Sequence, residues 1–412
     1  MREAVMTVPT RFGCFLSPLH PVGESPHQLL RRDLDDVVLA DRLGFDEFWV
    51  GEHHSGGWGL ISSPELFLVA AAERTTRITL ATGVLTAPYH HPFMVAERAS
   101  LLTHLTSGRF VLGLGAGSVT GDMHMLGISP ADTRRRTADC AETVTALLRG
   151  EVVTRTEDWF ELHDGRVQMV PFRGRPPEVV VASAATPFGM ELCGRLGLNP
   201  LSHGSPPWGV IRPGDGLGLE RLAGQWEVYA ETAAAHGNTA DRDRWRVSFP
   251  VHVSTSKEEA AAEIKAGWLR QRRLLWKETM GMPMSSAPMG DERAFEATLR
   301  QGGVIHGSAE DCIEQIEQLA EQTGGFGCLL VTLQDWASPE AQRRSLTSFA
   351  HHVVPHFTGE TRGLEASRDW TAGMKDELQR RNSAGRVTAS TAAAGRVGPA
   401  GTPRRQDEVA SV

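Results

Sequence analysis

The chain has 412 residues, of which 41% are hydrophobic and 22% are charged, and its 42 Lys and Arg against 50 Asp and Glu give a formal net charge of −8. A chain of this size can bury a large core, which excludes a small domain held together by disulfides or zinc. Nucleic-acid binding needs clustered positive charge, and a membrane span needs about 18 apolar residues in a row. The sequence has neither, so we expect neither partner.

The five cysteines are odd in number, widely spaced and without a C-x-x-C pair. That pattern is typical of reduced thiols. The first ten residues contain no apolar segment of the kind that a signal peptide carries. We therefore expect a cytoplasmic protein.

Hydrophobic periodicity predicts eight units, each a strand followed by a helix. In chain order they are Arg11–Ser17 with Pro26–Leu43, Glu47–Gly51 with Pro64–Arg74, Ile78–Gly83 with Pro92–Leu105, Phe110–Leu114 with Pro130–Arg149, Glu178–Ala182 with Pro187–Leu196, Leu198–Ser202 with Leu217–His236, Arg246–Ser254 with Lys257–Trp276, and Gly327–Leu333 with Pro339–Val354. A short helix is predicted at Asp122–Leu126. A hairpin of Val152–Arg155 and Trp159–Leu162 is predicted with Asp164-Gly165 as its turn.

Eight such units predict an α/β protein with parallel strands, closed into a (β/α)8 TIM barrel, with an open doubly wound sheet as the alternative. A barrel needs about 250 residues, so we expect insertion loops at Glu151–Arg175, Gly204–Gly216 and Thr279–Gly307. Large apolar residues almost vanish in the last part of the chain. We therefore expect residues 1–358 to form the barrel and residues 359–412 to form a mostly disordered C-terminal extension.

Chemistry in such a barrel lies at the carboxyl ends of the strands. The second strand ends in Glu52-His53-His54, and imidazole is the side chain that titrates near neutral pH, so this end is suited to proton transfer. A polar loop with satisfied histidines is the alternative. Adjacent histidines on an extended segment point to opposite faces, so we expect no metal site.

Two other strand ends carry small residues. Gly113-Leu114-Gly115-Ala116-Gly117 would let backbone approach a planar or phosphorylated ligand, although glycines also serve tight turns. It is not a dinucleotide fingerprint, because Thr120 stands where the third glycine should be. Ser183-Ala184-Ala185-Thr186 precedes a helix, where hydroxyls either bind phosphate or simply cap the helix.

Together these strand ends resemble the bacterial-luciferase-like family of flavin-dependent monooxygenases, over Arg11 to about Phe357. The matching segments are Phe12-Gly13, Leu43–Asp46, Trp49–His54, Thr82–Val84, His91-Pro92, Ala96-Glu97, Leu101-Leu102, Ser107–Phe110, Leu126–Ile128 and Gly324–Gly327. Within the family, Leu333–Trp336 and His351–Phe357 are most similar to the limonene-monooxygenase-type branch.

The resemblance implies a barrel that binds reduced FMN, activates O2 as a flavin C4a-hydroperoxide and inserts one oxygen atom into a fairly apolar organic substrate. It implies that His53, beside Glu52, stabilises the peroxide and transfers protons, and that Gly83-Val84 form a bulge, often with a cis peptide, under the flavin ring. The other residues it implies are flavin neighbours and phosphate-site residues, namely Gly115, Ala116, Ser183, Ala184 and Thr186. Ala116 stands where luciferase itself has a phosphate-contacting arginine.

No second nucleotide-binding fingerprint is present, so we expect a separate NAD(P)H:flavin reductase to supply reduced FMN, and the resemblance implies a homodimer. Trp208 and several methionines indicate that the loops Gly204–Gly216 and Thr279–Gly307 select an apolar substrate, or else face the core as lids. Two alternatives stay open: an F420-dependent hydride-transfer enzyme of the same fold, and a non-catalytic flavin-binding protein.

Overall fold

A computed structural model of the chain describes residues 7–184, 186–204, 219–281 and 290–394. The contacts within the chain divide it into two units, residues 1–358 and 359–412. In chain order the described strands are β1 Arg11–Leu16, β2 Glu47–Val50, β3 Thr79–Thr82, β4 Leu85–Thr86, β5 Phe110–Gly115, β6 Val153–Thr156, β7 Glu161–Gly165, β8 Glu178–Ser183, β9 Asn199–His203, β10 Arg246–Val253, β11 Ile305–Gly307 and β12 Cys328–Leu333.

Eight of these strands form a closed ring in the first unit. They pair in parallel in the order β1-β2-β3-β5-β8-β9-β10-β12, and β12 pairs with β1 to close the ring. The predicted TIM barrel is thus confirmed and the open sheet is excluded. Each of the eight predicted strands became a barrel strand.

The α-helices are α1 Pro26–Leu43, α2 Pro64–Ala72, α3 Pro92–Leu105, α4 Thr120–Met125, α5 Thr133–Leu148, α6 Phe188–Leu196, α7 Leu219–Ala235, α8 Lys257–Arg270, α9 Asp291–Arg300, α10 Ala309–Thr323, α11 Pro339–Ser348, α12 Val354–Thr358, α13 Arg362–Gly373 and α14 Lys375–Ala394. Proline opens α1, α2, α3 and α11, where its missing N–H breaks no helical hydrogen bond. Among the described helices, none is both long and apolar enough to cross a membrane.

The barrel interior is filled by its own side chains. Phe15, Trp49, Val111 and Leu330 belong to one buried cluster inside the ring. Trp49 needs glycine beside it, because a Cβ at Gly113 would lie 2.7 Å from the indole ring and 2.0 Å from a backbone oxygen. A larger buried cluster lies between the strands and the surrounding helices. All five cysteines are buried and free.

Three local predictions need correction. The β6–β7 hairpin turns between Thr156 and Glu161, and Asp164-Gly165 lie within β7 instead of forming the turn. The predicted insertion Thr279–Gly307 holds α9 and β11, a strand of only three residues that is too short for a periodicity signal. Helix α10 was not predicted, although Ser308 and Asp311 form a capping box at its start.

The described part of the second unit contains two helices, α13 and α14, with mostly exposed side chains. Ala and Arg are the commonest residues in them, and both favour helix formation. The expectation that residues 359–412 are mostly disordered stays a prediction. Residues 395–412 of the predicted disordered tail lie outside the described part of the chain.

Candidate active site

A cavity of about 520 Å³ lies at the carboxyl ends of the barrel strands. All nine site residues named from the sequence line it, and they are Glu52, His53, Gly83, Val84, Gly115, Ala116, Ser183, Ala184 and Thr186. They follow β2, β3, β5 and β8, which pair in that order in the ring. Parallel strands end on the same side of the barrel, so segments far apart in the sequence meet at one mouth.

Glu52 is buried and fully bonded. Its Oε1 accepts hydrogen bonds from the ring nitrogens Nε2 of His54 at 2.8 Å and His90 at 2.9 Å, and its Oε2 accepts one from the Thr86 amide at 2.6 Å. Burial alone would raise the pKa of Glu52, but the bonds from His54, His90 and Thr86 outweigh it and hold the pKa at about 2. The carboxylate therefore stays ionised, and in turn it raises the pKa of His54.

His53 is the more accessible group of the motif. Its side chain is 24% exposed, and its Nδ1 lies 3.9 Å from Oδ2 of Asp122, which is 2% exposed. Burial would raise the pKa of Asp122, but the neighbouring polar groups of His53 and Ser55 lower it by more. The pKa of Asp122 therefore lies below its ordinary value. The other oxygen of Asp122, Oδ1, has no hydrogen-bond partner among the described residues. The cavity thus contains an imidazole beside a buried carboxylate, a pair of groups suited to proton transfer.

The floor of the cavity is backbone. The peptide bond between Gly83 and Val84 is cis, as the family resemblance implied. A Cβ at Gly115 would lie 2.4 Å from Cγ2 of Val84, so a side chain here would displace Val84. Glycine at these positions leaves a flat surface that a planar ring can approach closely.

Small and hydroxylated residues form one end of the cavity. Ser183 donates a hydrogen bond from Oγ to the carbonyl of Thr186 at 3.1 Å. Neither residue caps α6, whose N-cap is Pro187 and has no side-chain hydrogen bond, so the capping interpretation is wrong. The exposed guanidinium-bearing side chain of Arg134 lines the same cavity. A helix N-terminus, hydroxyls and a cation together suit an anion such as phosphate.

Besides Glu52 and His53, four titratable side chains that the sequence did not identify line the cavity: Tyr89, Asp122, Arg134 and His203. His203 ends β9, its Nδ1 lies 2.8 Å from Ser248 Oγ, and burial, aided by the charge of Arg221, lowers its pKa to about 4. His203 could have been found as a histidine at a strand end. Tyr89, Asp122 and Arg134 lie on separate loops and helices, and no local pattern marks them.

Of the two loops expected to select the substrate, the first lies outside the described residues from 205 onward, and the second lacks only 282–289. Leu19, Trp58, Leu275 and Trp276 form a buried apolar cluster just before the second loop, and Met280 of that loop packs against it. Across the described ranges, no group of three or more His, Cys, Asp or Glu side chains could hold a metal ion.

A family model described as luciferase-like monooxygenase matches residues 10–325. The chain is 51% identical to 4-hydroxyprotoasukamycin monooxygenase of Streptomyces nodosus subsp. asukaensis over 362 residues, 88% of this chain and 96% of that protein. It is 37% identical to limonene 1,2-monooxygenase of Rhodococcus erythropolis, over 91% of this chain and 97% of that protein.

Among solved structures, the chain is similar to the oxygenating constituent of 3,6-diketocamphane monooxygenase from Pseudomonas putida, a type II Baeyer-Villiger enzyme in complex with FMN. The TM-score is 0.70 at 26% identity, covering 84% of this chain and 98% of that one. Family model, relatives and fold agree, and the chain belongs to the luciferase-like monooxygenase family.

Proposed function

We propose that the protein is an FMN-dependent monooxygenase that uses reduced FMN and O2 to insert one oxygen atom into a fairly apolar organic substrate. The observation that carries this proposal is the make-up of the cavity at the carboxyl-terminal mouth of the barrel. It combines a flat glycine floor, an anion-binding end and a histidine paired with a buried carboxylate. Its volume is within the roughly 300–1,000 Å³ that is usual for small-molecule sites.

The residues present fit FMN. The floor at Gly83, Val84, Gly115 and Ala116 would hold the flavin ring. Glycine has no Cβ, so the ring can approach the backbone closely at Gly83 and Gly115. Ser183, Ala184 and Thr186 would hold the phosphate together with the first-turn amides of α6. Ala116 offers no charge, and Arg134 is the cation on the cavity wall that would replace it.

Reduced FMN, when bound, supplies two electrons to O2, so that one oxygen atom enters the substrate and the other leaves as water. His53 is the residue that moves a proton in this reaction. Oδ2 of Asp122 lies on the Nδ1 side of the His53 ring, so Nε2 is the ring nitrogen that would exchange a proton with the ligand. Glu52 is saturated and ionised, so its role is to position His54, His90 and Thr86 instead of transferring protons.

The partners follow from the same proposal. A separate NAD(P)H:flavin reductase supplies the reduced FMN, and the reaction takes place in the cytoplasm, where the buried thiols stay reduced. A second copy of the chain is the other partner. Met94, Leu101 and Leu105 share one face of α3 and are 47%, 44% and 44% exposed, and Leu66 on α2 is 74% exposed. Apolar residues exposed on one helix face are typical of a dimer interface.

The test has two stages. Reduced FMN and reduced F420 are first titrated into the protein without oxygen, and we expect FMN to bind more tightly. Limonene and 3,6-diketocamphane are then supplied with reduced FMN and ¹⁸O2, and mass spectrometry should find one ¹⁸O atom in a product. Preferred binding of F420 with hydride transfer and no ¹⁸O would identify the F420 alternative. Flavin binding without reaction on either compound would favour the non-catalytic alternative.

A further inference from the structure

Tyr89 lies on the cavity wall at the end of a short 3-10 turn, Ala87–Tyr89, that follows β4. Its Oη would lie 2.9 Å from a Cβ built on Gly117, so the phenol reaches the glycine turn that follows β5. Residues of that turn also line the cavity. The hydroxyl is therefore at the level of the flat floor and not at the outer rim.

The turn that carries Tyr89 is fixed from both sides by Glu52. One carboxylate oxygen binds the Thr86 amide, just before the turn, and the other binds the His90 ring, just after it. The His54 ring, held by the same carboxylate, packs against Tyr89 with ring centroids 5.8 Å apart. Glu52, the buried carboxylate of the Glu52-His53-His54 motif, thus positions the phenol of Tyr89, a residue that was not predicted from the sequence.

The Tyr89 hydroxyl is free to donate a hydrogen bond to a ligand. Among the described residues it has no hydrogen-bond partner, and the cavity that it lines also has apolar wall residues, including Val119, Pro130 and Phe188. Burial raises its pKa, and the negative charges of Asp122 and Glu52 raise it further. The phenol keeps its proton at every working pH and can donate a hydrogen bond.

We propose that Tyr89 is a substrate-binding residue whose Oη donates a hydrogen bond to a carbonyl oxygen, so that the cavity selects ketones over hydrocarbons of the same shape. The geometry of the fixed turn and the unpartnered hydroxyl carries this inference. It rests on the proposed function only in taking this cavity as the place where the substrate binds. A hydrocarbon would cover the hydroxyl without offering an acceptor, which strengthens the selection.

The experiment compares cyclohexanone with methylenecyclohexane, in which a CH2 group replaces the carbonyl oxygen. Both are titrated into the full-length protein, with and without oxidised FMN, and binding is followed on the ligand signals by NMR. The wild-type protein should bind the ketone roughly three- to tenfold more tightly, which is the effect of one hydrogen bond. Tyr89→Phe should bind the two compounds equally.

The chain offers a matched control, because Tyr229 is its other tyrosine. Tyr229 is buried and donates a hydrogen bond from Oη to the Leu198 carbonyl at 3.1 Å, so Tyr229→Phe makes the same chemical change at another place. This variant should keep the ketone preference. Circular dichroism checks that all three proteins are folded.

Three results would overturn the proposal: a wild-type protein without ketone preference, whether it binds both compounds or neither; a preference that survives in Tyr89→Phe; or a loss of FMN affinity in Tyr89→Phe, which would make Tyr89 a flavin contact. FMN binding is read from flavin absorbance in the same samples. Failure of the wild-type protein to bind reduced FMN in the oxygen-free titration would refute the proposed function and leave the ketone preference to be judged by itself.

Discussion

The two mouths of the barrel both contain buried charges, but the charges at one mouth stabilise the fold and those at the other support a binding site. At the amino-terminal mouth, Arg246 donates four hydrogen bonds of 2.8–2.9 Å to the carboxylates of Glu47 and Glu178. Both carboxylates take further bonds from neighbouring side chains, those of Arg11 and Asn199 among them. Every carboxylate oxygen of this network is bonded, and the network leaves no polar atom for a ligand.

The carboxyl-terminal mouth is built differently. Glu52 is as fully bonded as Glu47, but it supports groups that are not saturated. Within the described residues, the buried Asp122 Oδ1 lacks a hydrogen-bond partner, and so does the Tyr89 hydroxyl; both residues line a cavity of about 520 Å³. Buried polar atoms are normally satisfied, so an unpaired carboxylate oxygen such as Asp122 Oδ1 beside a cavity indicates a binding site. The comparison assigns stability to one mouth and function to the other.

The largest expected effect of a change at the functional mouth is on turnover. His53→Ala removes the group that moves a proton, and it should lower the rate of oxygen insertion roughly 10²- to 10⁴-fold at unchanged stability. The rate of ¹⁸O incorporation measures the effect. His163→Ala, at a histidine 73% exposed on its side chain, is the control and should behave as the wild-type protein does. Full activity in a folded His53→Ala variant would contradict our assignment.

At the opposite mouth the largest effect is on stability. Arg246→Met leaves the half-buried Glu178 without its cation and the buried Glu47 with Arg11 alone, and it should lower the free energy of unfolding by about 3–5 kcal/mol. Urea unfolding measures this difference, while the FMN affinity of the folded fraction should stay the same. Arg135→Met, at an exposed arginine, should unfold like the wild-type protein. A loss below about 1 kcal/mol would show that this network does not hold the barrel together.

Glu52 serves both stability and function, because its buried charge stabilises the carboxyl-terminal mouth, where we propose that the ligand binds. Its pKa lies at about 2 in the folded protein against an ordinary value of 4.5. The ionised carboxylate therefore stabilises the fold fully above pH 4.5, and this stabilisation is lost as the pH falls from 4.5 to about 2. Glu52→Gln should lower the free energy of unfolding by about 2–3 kcal/mol at neutral pH.

The pH dependence separates this effect from simple loss of packing. The difference in unfolding free energy between the wild-type protein and Glu52→Gln should shrink by about half on going from neutral pH to about pH 3. Urea unfolding at several pH values measures it. Glu161→Gln, on the exposed hairpin, serves as the comparison and should show no such change. A difference that is constant with pH would mean that the carboxylate charge is not what stabilises the turn.

The smallest expected effect is on FMN affinity, when a residue of the cavity floor is changed. Gly115→Ala adds a Cβ that would lie 2.4 Å from Val84, so the floor must shift, and FMN affinity should fall at least about tenfold. Gly224→Ala is the matched control, because its Cβ would meet nothing within 4 Å and helix α7 should tolerate it. Flavin absorbance titration compares both with the wild-type protein. Unchanged affinity in Gly115→Ala would place the flavin elsewhere.

The two mouths also differ in how much the sequence could predict. The barrel follows from eight apolar runs, and Glu52-His53-His54 and Gly115 could be placed at the functional mouth because strand ends are known from those runs. The partners of these groups could not be predicted. Glu47 and Arg246 are 199 positions apart, and an ion pair of that separation has no local signal. Asp122 and Tyr89 became site residues only through the closure of the ring.

A crystal structure of the protein with bound FMN tests the central claim, that the carboxyl-terminal mouth is the flavin site, most directly. We predict the flavin ring against Gly83, Val84 and Gly115, and the phosphate beside Ser183, Thr186 and Arg134. FMN bound with its phosphate at the His53 end, or outside this cavity, would contradict the account.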